Sequence, residues 1–318
     1  MTWLAWRQQR TEAALTAAAI ALLAALLIPT GIHMANVFDA DNIGACVTSD
    51  SDACNQALMV FQDRFHGITS LFNWLQLLPG ILGALLAAPL VLELEQGTYR
   101  LAWTQSISRR RWLATKLGLL AAALIVASAL LTVLLTWWRQ PLDELQSRFE
   151  ENSFSFEGIV PYAYILFAAA LALAAGVVLR RVAAAFAIAL VGFFAARFFV
   201  TDALRPHFMD PIVRRLSDPP TGQFHDAWVL NGPSLVDKNG NPPSRELVSQ
   251  CIGPGAKPEG GPVPLAHDCL EKLGLYTRIE YHPASRFWTF QWIEAGIYLG
   301  LAAALAGFAA WWILKRVN

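Results

Sequence analysis

Long apolar runs alternate with short polar connections along most of this chain. Six runs contain almost no charge and are each about 18 residues long or more, the length that crosses a hydrocarbon core of about 30 Å. They cover approximately residues 13–33, 71–92, 112–138, 159–179, 182–200 and 290–314. The pattern therefore predicts an all-α integral membrane protein with six transmembrane helices.

The first ten residues combine aromatic and cationic side chains ahead of the first apolar run. Trp3 and Trp6 lie beside Arg7 and Arg10, a mixture suited to the membrane surface. We expect an N-terminal interfacial helix over residues 1–12, with an ordinary aromatic and cationic flank as the alternative. A secretory signal peptide fits less well, because the apolar run is too long and no small-residue cleavage site follows it.

One long polar segment separates the fifth and sixth apolar runs. Clusters of Pro, Gly, Asn and Asp exclude a long continuous helix there, although short helices over 244–251 and 267–275 are plausible. We expect this segment to form an extracellular insertion. The resulting organisation is an interfacial helix (1–12), helices one to five (13–201), the insertion (202–288), and helix six with a cytoplasmic tail (289–318).

Composition agrees with a membrane protein and excludes other classes. Hydrophobic residues make up 55% of the 318 residues and charged residues only 15%, and the mean hydropathy is +0.41. The formal net charge is zero, and no Lys/Arg tract with interleaved aromatics occurs in a polar context, so nucleic acid is not an expected partner.

The basic residues of the short connections fall on one predicted side of the membrane. Cytoplasmic loops retain Lys and Arg during insertion, whereas long loops translocate largely regardless of charge. Both termini are therefore expected in the cytoplasm. The basic residues on that side are Arg7, Arg10, Arg100, Arg109, Arg110, Arg111, Lys116, Arg180, Arg181, Lys315 and Arg316.

All four cysteines lie on the predicted outer side. Cys46 and Cys54 precede the second run, and Cys251 and Cys269 belong to the insertion. Four cysteines allow three pairings, of which the two local pairs are the simplest, and an oxidising exterior favours disulfides. A zinc site involving nearby histidines is the alternative, but CxxC spacing is absent.

The second cytoplasmic connection, residues 94–111, is the most informative segment, and we call it the coupling segment. Glu93 and Glu95 end a membrane helix, and Gly97 is a typical C-cap. Ser106 or Ser108 can cap the next helix. Carboxylates are unfavourable at a helix C-terminus, so we expect Lys or Arg partners in this chain or another, with simple solvation as the alternative.

This connection resembles the signature of type-two ABC exporter permeases. The resemblance rests on Glu93, Glu95, Gly97, Thr98, Ser106, Ser108, Arg109 and Lys116, together with the six runs and the large connection before the last run. It implies a coupling helix that docks on a nucleotide-binding subunit. The residues it assigns to coupling are Glu93, Glu95, Gln96, Gly97, Thr98, Tyr99, Arg100, Ser106 and Arg109.

The resemblance also implies partners and a location. We expect an ABC ATPase subunit that binds ATP and Mg, a second permease copy that is identical or related, and surrounding membrane lipid. The chain itself lacks GxxxxGK[ST], so we expect no cofactor in it and no catalytic activity of its own. A bacterial-type plasma membrane is the expected location. The unusually long insertion departs from the family pattern and leaves its role open.

Polar residues inside the apolar runs are candidates for function, because charge in hydrocarbon is unfavourable. Glu294 could meet Arg197, or it could be an interfacial carboxylate that reaches water. Asn73, Trp74 and Gln76 could line a pathway with Glu294, or they could form hydrogen bonds between helices. Gly296 and Gly300 form GxxxG, a motif for close helix packing within the chain or between copies.

The favoured function is a permease subunit that exports an amphiphilic small molecule, drug or lipid. The alternative is a membrane sensor or assembly protein that binds a ligand or partner through its insertion. A membrane-embedded enzyme is a third class, but no nucleophile, metal or paired-acid constellation supports it: the dipeptides at His225 and His267 lack HExxH spacing.

Overall fold

A computed structural model describes residues 2–47, 49, 51–104, 108–145, 147–216, 224, 226–251 and 267–316. It is mostly helical, with one small sheet. In chain order the helices are α1 (Thr2–Ala40), α2 (Ile43–Cys46), α3 (Asp52–Thr69), α4 (Leu71–Leu75), α5 (Leu78–Gln96), α6 (Tyr99–Thr104), α7 (Arg109–Asp143), α8 (Glu151–Phe156), α9 (Val160–Leu179), α10 (Val182–Phe198), α11 (Arg245–Ser249), α12 (His267–Lys272) and α13 (Phe287–Lys315).

Six of these helices are long and apolar enough to cross a membrane, namely α1, α5, α7, α9, α10 and α13. The six predicted spans therefore correspond to six long apolar helices. The second span begins later than expected. Pro79 has no backbone N–H for a helix interior, so the helix over Leu71–Leu75 stops and a new one starts at Leu78.

The N-terminal segment is helical, as expected, but it is continuous with the first apolar helix. Residues 2–40 form the single helix α1 of 39 residues, so the interfacial position of residues 1–12 stays a prediction. The connection after α1 is also helical, because Ser51 caps α3 by accepting a hydrogen bond from the backbone N–H of Cys54 at 3.3 Å.

Helix α9 lies at the centre of the bundle and packs against α5, α10 and α13. Close approach to α5 depends on glycine. A Cβ at Gly83 would collide with the backbone of α9, and a Cβ at Gly176 would collide with Val91. Small residues at such contacts allow membrane helices to approach closely.

Helix α10 does not end at the predicted residue 200. It continues as a π-helix (Phe199–Leu204) and a 3-10 turn (Arg205–His207). Because residues four apart lie on one helical face, this extension places Thr201 and Arg205 on the same face as Arg197, one and two turns later in the chain.

The expectation of an all-α fold is wrong, because the insertion contains a three-stranded antiparallel sheet. Its strands are β1 (Ile212–Leu216), β2 (Trp228–Val236) and β3 (Tyr276–His282), in the order β1-β3-β2. In β3, Ile279 and Tyr281 are buried while Arg278 and Glu280 point away. This alternation of period two is typical of a half-buried strand, and turn-rich flanks obscured it in the sequence.

Both local disulfides predicted from the sequence are present, Cys46–Cys54 and Cys251–Cys269. The second pair joins the turn after α11 to α12 and forms a small core with Leu270 and Leu275. The alternative of a zinc site on these cysteines is excluded, since the thiols are bonded to each other. We call the end of the bundle that carries the disulfides and the insertion the disulfide end, and the opposite end the basic end.

His282 fixes the junction between the sheet and α13. It is fully buried, with Nε2 3.3 Å from the carbonyl oxygen of Pro206 and Nδ1 3.0 Å from Nη1 of Arg286. Because a guanidinium only donates, Nδ1 accepts, Nε2 donates, and the ring is neutral. Burial lowers the pKa of His282 below its usual value, and the Arg286 charge adds to this effect.

Candidate functional site

The coupling segment folds as a short helix between two turns. Gly97 ends α5 in the left-handed conformation, with φ of 71°, a geometry that favours glycine. Ser108 accepts a hydrogen bond from the backbone N–H of Arg111 at 3.3 Å and so caps α7. Of the two capping candidates, Ser108 fills the role, and Ser106 lies outside the described residues.

Glu93 forms an ion pair with Lys116 across the ends of α5 and α7. Glu93 is 8% exposed and Lys116 4% exposed, so the alternative of a solvated carboxylate does not hold for Glu93. The hydroxyl of Thr98 lies 3.5 Å from the carbonyl oxygen of Glu93. The predicted basic partner is therefore in this chain, and it connects the helices on both sides of the segment.

Glu95 contacts a third span. Its Oε2 accepts a hydrogen bond from the backbone N–H of Val182 at 2.8 Å, the first residue of α10. A carboxylate is favourable at a helix N-terminus because the dipole there is positive. The coupling segment thus contacts α5, α7 and α10.

Aromatic packing holds α6 in place. Tyr99 is 2% exposed, and its ring centroid lies 4.6 Å from that of Trp103. Trp103 in turn meets Trp112 at the start of α7, and the Arg109 guanidinium lies 4.2 Å from the Trp103 ring centroid. These contacts give the short helix a fixed position that its own length could not supply.

The outer face of this segment is basic. Arg100 and the three arginines at residues 109–111 are exposed, as is Gln96 on the same connection. Exposed charges of one sign attract a complementary surface. The segment therefore combines a buried attachment to three spans with a positive outer surface.

A second set of polar residues lies buried at the disulfide end, and we call Tyr164, Arg197, Arg205 and Glu294 the polar network. Nε and Nη2 of Arg205 donate to the two carboxylate oxygens of Glu294 at 2.7 and 2.8 Å. The Tyr164 hydroxyl donates to the same carboxylate. Glu294 is fully buried.

The predicted pair of Glu294 with Arg197 is therefore wrong, and so is the alternative of a Glu294 that reaches water. The partner is Arg205, which the sequence analysis had placed in the insertion. The helical extension beyond residue 200 brings Arg205 within reach, two turns after Arg197. A helical face of Arg197, Thr201 and Arg205 was the signal that could have revealed it.

Arg197 bridges other elements instead. Its Nη2 donates to Gln76 at 3.0 Å and to Ser155 at 2.7 Å, and Glu151 lies 3.9 Å away. Its guanidinium also lies 4.8 Å from the ring centroid of Tyr164. The network thus links the turn before α5 and helix α8 with the fourth, fifth and sixth spans.

The residues proposed to line a pathway lie in different environments. Asn73 is exposed and Trp74 is 71% exposed, whereas Gln76 accepts the hydrogen bond from Arg197. Gln76 and Glu294 therefore make contacts between helices in this structure. Whether the four residues line a pathway stays a prediction.

A third buried arginine was not singled out in the sequence. Arg139 is 4% exposed and pairs with Asp143 at 3.3 Å and Glu150 at 2.9 Å, with Ser153 as a further acceptor. These contacts attach the connection after α7 to the helix itself. Within the described ranges, no group of three or more His, Cys, Asp or Glu residues could hold a metal ion.

Comparison with known proteins decides the family. The model of the family described as ABC-2 membrane transporter related matches residues 17–205. The chain belongs to this ABC-2-related family. The match includes most of the first span, the next four spans nearly to the end of the fifth, and the whole coupling segment, and membership indicates a permease role with an ATPase partner. No curated protein and no solved structure matches the chain.

In this ABC-2-related chain the family match ends at Arg205, where the bundle meets the insertion. The partner of Arg205, Glu294, lies on α13 beyond the match. The polar network therefore joins the part of the chain that defines the family to the last span. The sheet and its disulfide lie entirely outside the matched residues.

Proposed function

We propose that this chain is the membrane-spanning, non-catalytic subunit of an ATP-driven ABC exporter whose ATPase is a separate chain. One observation carries the proposal: the coupling segment is held against three spans, because Glu95 contacts α10, α6 packs on α7 through its aromatic rings, and Glu93 just before the segment pairs with Lys116 of α7. A push on this segment would reach α5, α7 and α10 together. ATP and Mg would bind to the partner, since hydrolysis takes place there.

The charge distribution supports an orientation with the basic end in the cytoplasm. The exposed arginines of the coupling segment lie at that end, as the positive-inside rule requires. The disulfides lie at the other end, which suits an oxidising exterior. The insertion would then be extracellular, in a bacterial-type plasma membrane.

Two apolar grooves beside α1 support an amphiphilic cargo such as a drug or lipid. One, of about 350 Å³, is lined by residues of α1, α5 and α7, and the other, of about 330 Å³, lies between α1 and α7. Both can accept hydrocarbon from the bilayer. Transport would move the cargo outward as the helices rock.

The exposed glycines of α13 support a second permease copy, identical or related. Nothing lies within 4 Å of the positions that a Cβ would take at Gly296 and Gly300. No other helix among the described residues therefore packs against these two glycines. It leaves a surface that a helix of another copy could cover.

Charge reversal on the coupling segment tests the proposal. Arg110→Glu with Arg111→Glu should abolish co-purification of an ATPase that contains a Walker A motif, together with the ATP hydrolysis of the complex. Arg316→Glu is the matched control, because Arg316 is also exposed at the basic end. It should leave association and hydrolysis unchanged.

The opposite outcome is equally informative. Association is measured with the chain in lipid nanodiscs under three conditions: no nucleotide, ATP, and a trapped transition-state analogue. If no ATPase associates under any of the three, the exporter proposal is wrong. A sensor or assembly role for the insertion would then explain the structure better.

A further inference from the structure

A cleft of about 680 Å³ opens at the disulfide end, where the insertion meets the helix bundle. Three elements form it: the connection after α7, the π-helix and 3-10 turn that extend α10, and the first residue of β2. The volume falls within the range that holds a drug-sized molecule. Neither the coupling segment nor the apolar grooves beside α1 belong to this cleft.

One wall of the cleft is aromatic. Phe149 and Trp228 lie stacked, with ring centroids 5.9 Å apart and planes 15° apart. Trp228 lines the cleft and is only partly buried, and its ring also meets those of His282 and Phe290. Indole is the aromatic side chain that attracts cations most strongly.

The floor of the cleft does not present a positive charge. Arg205 lines it, but both oxygens of the Glu294 carboxylate accept hydrogen bonds from its guanidinium at 2.7 and 2.8 Å. The guanidinium also lies 4.2 Å from the ring centroid of Phe154. A paired and buried arginine of this kind offers little attraction to an anion.

The rim carries negative charge that the chain compensates only in part. Glu150 is engaged by Arg139 at 2.9 Å. The Glu151 side chain is 51% exposed and lies 3.9 Å from Arg197, the limit of an ion pair. Asp202 is exposed and forms no ion pair with any described residue.

We propose that this cleft binds an organic cation, namely an amine, quaternary ammonium or phosphonium group attached to an apolar body. The cationic centre meets the exposed part of the Trp228 indole, and the carboxylates of Glu151 and Asp202, which line the same cleft, compensate its charge. The apolar body lies along the aromatic wall. This inference does not depend on the exporter function, because the cleft lies within one chain and needs no ATPase.

A pair of ions of equal size and opposite charge tests the proposal. Tetraphenylphosphonium and tetraphenylborate are both titrated calorimetrically into the full chain in phosphatidylcholine nanodiscs, and titrations into empty nanodiscs are subtracted to remove partitioning. The phosphonium should bind saturably to the chain, and the borate should not. The difference isolates charge from hydrophobicity.

Substitutions then place the site. Glu151→Gln and Asp202→Asn should each weaken phosphonium binding about threefold, and the double variant about tenfold, as expected for partly exposed charges. Asp210→Asn is the control, because Asp210 is an exposed carboxylate that does not line the cleft. Since all three carboxylates are exposed, the variants should fold, and their midpoint temperatures of unfolding verify this.

Three results would overturn the proposal. The first is no saturable phosphonium binding to the wild-type chain. The second is equal binding of the borate, which would mean that hydrophobicity alone decides. The third is a double variant that binds the phosphonium as tightly as Asp210→Asn does, which would place the binding elsewhere.

Discussion

At the disulfide end of the bundle, Arg139, Arg197 and Arg205 are each 4% exposed or less and meet polar groups from other elements. At the basic end, Arg109, Arg110 and Arg111 lie exposed on the first turn of α7. Burying a charge is unfavourable unless a partner compensates it. The chain therefore compensates its buried arginines at the disulfide end with its own polar groups, and it keeps these three arginines of the basic end exposed.

This difference indicates what each end contributes to a moving membrane protein. The Arg205–Glu294 ion pair and the hydrogen bonds of Tyr164 and Arg197 fix the relative positions of the fourth, fifth and sixth spans and of the turn before α5. The described residues of the basic end have one buried ion pair, Glu93 with Lys116, and the exposed hydrogen bond of Glu95 to α10. An external partner can act on the basic end, while the disulfide end keeps the helices in register.

The largest expected effect comes from breaking the buried pair at the disulfide end. Glu294→Ala leaves Arg205 buried without its carboxylate, which should lower the free energy of unfolding by about 3–5 kcal/mol. Thermal unfolding in detergent measures the loss. The double variant Glu294→Leu with Arg205→Met should lose less than Glu294→Ala, because it buries no unpaired charge. If Glu294→Ala is as stable as the wild type, the Arg205–Glu294 pair does not hold the helices together at the disulfide end.

The insertion disulfide should have the next largest effect, confined to the insertion. Cys251→Ser with Cys269→Ser opens a loop with a sequence separation of 18, which should destabilise the insertion by about 3 kcal/mol. Limited proteolysis should then cleave the insertion faster while the bundle stays intact. Cys46→Ser with Cys54→Ser is the control pair. Its loop has a sequence separation of 8 and lies outside the insertion, so cleavage of the insertion should not change.

Acid should loosen the junction between the sheet and the bundle. The pKa of His282 is lowered in the folded state, so its contribution to stability is complete above the unfolded value of about 6.5. It decreases as the pH falls below that value, by at most about 1.4 kcal/mol per pH unit. Midpoint temperatures between pH 7.5 and 5.5 measure this dependence. His282→Gln should reduce it, and an unchanged pH profile would exclude His282 as the cause.

The smallest of these effects should come from the basic end. Glu95→Ala removes the carboxylate that accepts from Val182, and loss of a capping group should destabilise the chain by about 1 kcal/mol. Association with the ATPase should weaken more than stability does, because α10 loses its contact with the coupling segment. Asp210→Ala, an exposed carboxylate at the other end, should change neither. If both substitutions weaken association equally, the contact between Glu95 and α10 plays no part in binding the ATPase.

Much of the fold could be predicted from local pattern. Each of the six spans needs only a run of apolar residues long enough for the bilayer, a property that no distant contact has to supply. The cap at Gly97 and the two local disulfides follow from neighbouring residues in the same way. The motif of the coupling segment is also continuous in the chain, and its coupling role stays a prediction.

The errors arose where distant segments decide the structure. The sheet joins β1 to β3 across the whole insertion, and turn-rich flanks conceal its alternation. Glu294 pairs with Arg205 because α10 continues beyond residue 200 and because α10 and α13 both pack against α9. A sequence shows that a buried carboxylate needs a cation, but the choice between Arg197 and Arg205 depends on packing.

The sequence by itself determined six apolar helices long enough to cross a membrane, because bilayer thickness and helix geometry act on local runs of residues. Only the tertiary structure decided which charges are paired inside the chain and which remain exposed. The physical reason is that desolvation depends on every element packed around a side chain. The cleft between Trp228 and Asp202 belongs to this second class, since its walls come from three segments that the fold alone brings together.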